Sequence, residues 1–77
     1  MKNEISITVE IFKTDIKDPV VADICTLVLS HHFPRARINF DLEDPDNILR
    51  VEDRDIATGK IIELLSSMDI KCTLFNE

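Results

Sequence analysis

Tryptophan and tyrosine are absent from the 77 residues, phenylalanine occurs four times, proline three times, cysteine twice and glycine once. Each scarcity argues against a class of function. Proteins that read RNA on an open sheet stack bases on aromatic side chains at the sheet's centre, and Phe12 and Phe75 both fall near the ends of their strands. The single glycine lies in Thr58-Gly59-Lys60, where the earlier glycine of a phosphate loop is missing and Ile61 follows, so the stretch reads as a first helical turn. An EF-hand loop needs a glycine at its turn and carboxylates at regular alternate positions. The acidic run Asp41–Asp46 meets neither condition and reads as a solvated hairpin tip. No apolar run approaches the ~18 residues that span a bilayer. The opening MKNEISITVE alternates instead of forming the apolar centre of a secretory signal. Two cysteines without such a signal imply reduced thiols, and a cytoplasmic location is expected.

Fifteen acids against nine bases give a net charge of −6. An acidic surface repels phosphate backbones, so nucleic acid is not an expected partner, and without a spanning apolar run neither is a membrane. The charge is uneven: from Asp41 to Asp55 seven acids face two arginines, so this stretch carries −5 of the −6. With 44% hydrophobic and 31% charged residues the composition is that of a folded globular chain, not a disordered one. Residues 1–77 form a single domain with one thin core and about 3–5 kcal/mol of net stability.

Ile5, Ile7, Val9 and Ile11 alternate with Ser6, Thr8 and Glu10, which predicts a strand with its β-branched residues inward. Asp18 is a good N-cap and Pro19 suits a first helical turn. Val21, Ile24, Cys25 and Val28 then recur at helical spacing, and Pro34 ends the helix near His31-His32 by disfavouring helical geometry at Phe33. Ile38, Phe40 and Leu42 mark a second strand, Glu43 to Asn47 a turn, and Leu49 and Val51 a third strand. Asp53 or Asp55 is expected to cap a second helix with the stripe Ala57, Ile61, Leu64, Leu65 and Met68. Ile70, Cys72 and Leu74 form the last strand. Six elements in the order βαββαβ, each with one apolar face, are all buried by an α+β, ferredoxin-like arrangement, a four-stranded antiparallel sheet with two helices on one face. The open face is then expected to carry Ser6, Thr8, Glu10, Asn39, Asp41, Arg50, Glu52, Lys71 and Thr73.

The segments IFKTDIKDPVVADICTLVLSHHFPRARINFDL and IIELLSSMDIKCTLF resemble the heavy-metal-associated domain family, whose members include copper chaperones and the metal-binding domains of copper-transporting ATPases. In that family a Met-x-Cys-x-x-Cys loop enters the first helix, which ends in Leu-Pro-Gly-Val, and a glycine closes the second helix. Phe33-Pro34-Arg35-Ala36 stands here for the Leu-Pro-Gly-Val, and Met68-Asp69-Ile70 for the end of the second helix. The cysteine pair is missing. Aligned on Phe33-Pro34 its positions are Pro19 and Ala22; aligned on the helix they are Asp18 and Val21. The motif's glycines are replaced by Arg35 and Asp69. The resemblance therefore implies the family's fold without its copper chemistry, since two thiolates aimed at one soft Cu(I) ion are what that chemistry needs.

Cys25 and Cys72, the only thiols, fall on apolar stripes and read as small buried hydrophobes. His31 and His32 point about 100° apart on a helix, and His32 stands roughly 10 Å along the axis from Cys25, too far to share an ion. The expectation is therefore a non-enzymatic binding module with no cofactor, no metal and no catalytic residue. Its expected partner is a protein, basic where it meets the acidic hairpin or adding a strand to an open sheet edge, with a homodimer left open. Two alternatives stand beside it: a copper- or zinc-handling protein with unconventional ligands drawn from Cys25, His31, His32 and Cys72, and a small-molecule regulatory domain acting as a dimer.

Overall fold

The computed structural model describes residues 6–75. The elements are β1 (Thr8–Thr14), α1 (Pro19–His32), β2 (Arg37–Asp41), β3 (Ile48–Asp53), α2 (Thr58–Ser67) and β4 (Cys72–Leu74). The strands form one antiparallel sheet in the order β2-β3-β1-β4. Both helices cover the same face, and this is the expected ferredoxin-like βαββαβ fold.

The expected helix signals around α1 act as read. Asp18 caps it, its Oδ1 accepting from the Val20 N–H at 2.9 Å, Pro19 fills the first turn, and Phe33 is the C-cap. α2 begins with Thr58-Gly59-Lys60, but its N-cap is Ala57, which makes no side-chain cap bond. Asp53 instead accepts from the Arg54 N–H at 2.7 Å in the preceding turn. Ala57 is exposed, while Ile61 and Leu65 are buried and Leu64 and Met68 pack against the core. The last turn of α2 closes as a Schellman motif: the Ile70 N–H donates to the Leu65 carbonyl and the Asp69 N–H to the Ser66 carbonyl, with Asp69 left-handed at φ 67°.

Two faces differ from expectation. On β1 it is Phe12, fully buried, that points at the helices, with Thr14 and Glu10 half-buried beside it. Ile7 and Val9 are exposed, Ile11 is half-buried away from the core, and Ile5 lies outside the described residues. The register explains the choice. Phe12 pairs with Leu49 of β3 and with Leu74 of β4, whereas Val9 pairs with Glu52 and lies beyond the reach of the three-residue β4. Strand parity is all or none. Burying one phenylalanine at the doubly flanked end outweighs burying two aliphatics at the end with one neighbour. The open face therefore carries the odd-numbered residues of β1, and Thr8 and Glu10 belong to the other side.

On α1 the buried residues are Ala22, Cys25 and Leu29, while the expected Val21 and Val28 are half-buried and Ile24 is 49% exposed. Eight of the fourteen residues in PVVADICTLVLSHH are apolar, so periodicity alone could not choose a face. Packing did. Small Ala22 and Cys25 against the sheet allow a closer helix approach than Ile24 and Leu27 would.

Candidate functional site

The junction between β1 and α1 is where the resemblance would place a metal site, and the polar groups of Thr14, Asp15 and Asp18 are already engaged there. The Thr14 hydroxyl donates to the Asn47 carbonyl at 2.7 Å and accepts from the Ile16 N–H at 3.2 Å. Asp15 accepts from the Lys71 N–H at 3.1 Å, Ile16 is buried, and Asp18 is spent on the helix cap. This loop ties β1 to β4 and to the β2–β3 turn. Pro19 and Ala22 do line one shallow groove of about 260 Å³ between α1 and β2, together with Asp23, Thr26, Ile38, Asn39, Phe40 and Leu42. Asp18 and Val21 do not line it, so the first alignment is the one whose two positions share a hollow.

Cys25 and Cys72 both sit in the core, 0% and 6% exposed. Burial raises the Cys25 thiol above its ordinary range. Burial, with the Cys25 charge adding to it, pushes Cys72 up to about 11. Thiols held protonated in this way are poor nucleophiles and poor ligands. His31 and His32 are exposed at the end of α1 with ring centroids 5.5 Å apart, edge to face. Among the described residues no group of three or more His, Cys, Asp and Glu is placed to hold a metal ion.

The acidic hairpin is built around its own backbone. Asp41 accepts from the Glu43 N–H at 3.2 Å and Asp44 from the Asp46 N–H at 2.8 Å. A second hollow, of about 530 Å³, runs along β4 past Asp15, Ile62, Ser66, Asp69, Lys71 and Cys72. No histidine lines either hollow. Among the described residues no buried side-chain N or O lacks a hydrogen-bond partner. No helix among them is long and apolar enough to cross a membrane.

Apolar side chains outside the core form two surfaces. On the open sheet face, Val9 and Ile11 of β1 lie beside Glu52 and Arg50 of β3, and Ile48 lies beside Lys13. Phe75 joins them: its N–H donates to the Ile11 carbonyl at 2.8 Å, and the Lys13 ammonium sits 5.2 Å from its ring centre. Arg37, Asn39 and Asp41 of β2 complete the face, on which Arg50 pairs with Glu52 at 3.2 Å. The second surface is the outer side of α1, where Val20 is 62%, Ile24 49% and Leu27 72% exposed. Reading the chain for one apolar face per element missed both. The signals were present: Phe12 breaks the β1 alternation, and Val20, Ile24 and Leu27 make a second helical stripe.

No protein-family model matches this chain, and no curated protein and no solved structure does either.

Proposed function

We propose that this chain is a non-enzymatic protein-interaction module, a heavy-metal-associated-like domain without the cysteine pair, whose docking surface is the open sheet face. One observation carries this reading: β1, a central strand, turns Val9 and Ile11 to the open face, where Ile48 and Phe75 extend them into an apolar strip. A domain this small has little apolar surface to spare, and leaving β-branched residues in water forgoes about 25 cal/mol per Å² of burial. An apolar strip rimmed by charge is the usual make-up of a protein contact. The rim is Lys13, Arg37 and Arg50 against Asp41 and Glu52, one net positive on a chain of −6. This face suits a partner that brackets apolar residues with carboxylates, in place of the basic partner expected from the hairpin.

The test is photo-crosslinking in the cells that make the protein, with the reactive residue at Val9 and, as control, at exposed Glu63 on α2. A discrete protein adduct at position 9, lost when Ile11→Lys is added and absent at position 63, is expected. No adduct at position 9, or the same adducts at both positions, overturns the reading.

A further inference from the structure

We infer that β2 pairs antiparallel with the β2 of a second copy of this chain, centred on Asn39, so that Arg37 faces the partner's Asp41. The inference concerns the edge of the sheet and does not rest on the reading of its open face. In the order β2-β3-β1-β4, β2 is an edge strand. Which of its backbone groups point outward follows from the ladder. The Phe75 N–H donates to the Ile11 carbonyl at 2.8 Å, and the Asp15 N–H to the Lys71 carbonyl at 3.3 Å. Odd-numbered residues of β1 therefore bond towards β4 and even-numbered ones towards β3, because the bonding direction alternates along a strand. The registers carry this parity across the sheet. Even-numbered residues of β3 bond to β2, and Arg37, Asn39 and Asp41 of β2 bond to β3. The N–H and C=O groups of Ile38 and Phe40 are left pointing off the edge. No turn, loop or side-chain hydrogen bond among the described residues takes them up. The usual devices against edge pairing are a proline, a bulge or an inward-pointing charge. β2 has none of them: its register with β3 is unbroken and its core-side residues are Ile38 and Phe40.

Charge selects the occupant and the register. The strand runs from Arg37 to Asp41, with Arg35 before it and Glu43 after it. Turned end for end about Asn39, the basic end of each copy meets the acidic end of the other. Arg37 then lies opposite the partner's Asp41 and Arg35 opposite its Glu43, and each opposition occurs twice. Opposite charges directly across a ladder stabilise it, and like charges destabilise it. The same register sets Ile38 opposite the partner's Phe40 as a hydrogen-bonded pair, in which each residue both donates and accepts. Both side chains are half-buried on the helix side, where they line the hollow of about 260 Å³ beside α1. A shift of two residues keeps the bonding groups matched but sets Arg37 against Asn39, or Asn39 against Asp41. The other edge strand, β4, has three residues and no such symmetry, since pairing centred on Thr73 sets Lys71 against Phe75. The contact is one five-residue strand from each copy, smaller than a standard interface of roughly 800 Å² per partner. The dimer is accordingly weak and forms at high concentration.

Sedimentation equilibrium of the full chain up to about 1 mM, the range needed for an interface below standard size, tests this. A monomer–dimer equilibrium is expected, and hydrogen exchange at the Ile38 and Phe40 amides should slow as the dimer fills. Arg37→Asp and Asp41→Arg should each raise the dissociation constant about tenfold or more, since each turns two attractive oppositions into repulsive ones. Mixed in equal amounts, the two variants should pair with each other about as tightly as the parent pairs with itself, because every opposition is again an acid against an arginine. Both variants stay net negative, each moving the chain's −6 by two charges, so overall attraction does not explain such a recovery. A chain that stays monomeric at the top concentration overturns the inference. So does a dimer whose Ile38 and Phe40 amides exchange as in the monomer, one that both variants leave unchanged, or a mixture of folded variants that does not pair. If either variant is unfolded by circular dichroism, amide exchange in the parent decides alone. A monomer leaves the sheet-face reading untouched, because crosslinking at Val9, on central β1, reports on it separately.

Discussion

Replacing Asp69 with glycine should make the protein more stable. Asp69 occupies the position after α2 where φ is 67°, a left-handed conformation that costs an L-residue roughly 1–2 kcal/mol and an Asp or Asn somewhat less. Glycine removes that penalty but gives part of the gain back through the extra freedom of the unfolded chain, typically about 0.5–1 kcal/mol. The side chain is exposed and makes no hydrogen bond among the described residues, because both closing bonds of the Schellman motif run through backbone. Asp69→Gly also removes a carboxylate from a helix C-terminus, where negative charge is unfavourable. The net gain should be about 1 kcal/mol, which for a domain of this size raises Tm by about 4–8 °C. Asp69→Asn separates the two causes, since it removes the charge while keeping a side chain that tolerates the conformation only partly. Circular-dichroism melts should rank glycine above asparagine and asparagine above aspartate. Equal Tm values for the glycine and asparagine variants would refute the backbone argument. The same result would weaken the family resemblance at a position where the family carries glycine.

Phe12→Ala should remove about 3–5 kcal/mol, the whole stability expected of such a domain, and leave it unfolded by circular dichroism at 25 °C. Val9→Ala, on the open face, should lower the urea midpoint only slightly, and a loss comparable to that of Phe12→Ala would contradict the assignment of faces on β1. The Cys72 thiol, raised from 9.0 to about 11 in the folded chain, keeps its proton where the unfolded chain has lost it. Stability is therefore full below pH 9 and falls by ~2–3 kcal/mol as pH rises to 11. Urea titrations across that range should show a decline that is much smaller in Cys72→Ala. In competition against a tight Cu(I) chelator the parent should bind no better than micromolar, whereas Pro19→Cys with Ala22→Cys should gain affinity, because both positions line one groove. No gain in a folded double variant means that the junction does not follow the family's path.

The order of the elements was legible in the sequence because local signals set it: Asp18-Pro19 at a helix start, Pro34 beyond its end, turn residues at Glu43–Asn47, and alternation at Leu49 and Val51. The absences were legible too, since a missing Cys-x-x-Cys or a missing second glycine is a property of the chain alone. Which way β1 and α1 face was not. β1 holds apolar residues of both parities, and the shortness of β4, which flanks Phe12 but not Val9, decides which parity is buried. α1 is apolar on nearly every side, and the sheet takes the side with the small residues Ala22 and Cys25. Both choices depend on what neighbouring elements cover, which no local pattern encodes. The two exposed apolar surfaces, Val9–Ile11 on the sheet and Val20–Ile24–Leu27 on the helix, are what remains apolar once those choices are made. The sequence alone determined the order of the elements and, through their apolar faces, the fold. Tertiary packing alone decided which hydrophobic residues are left facing water.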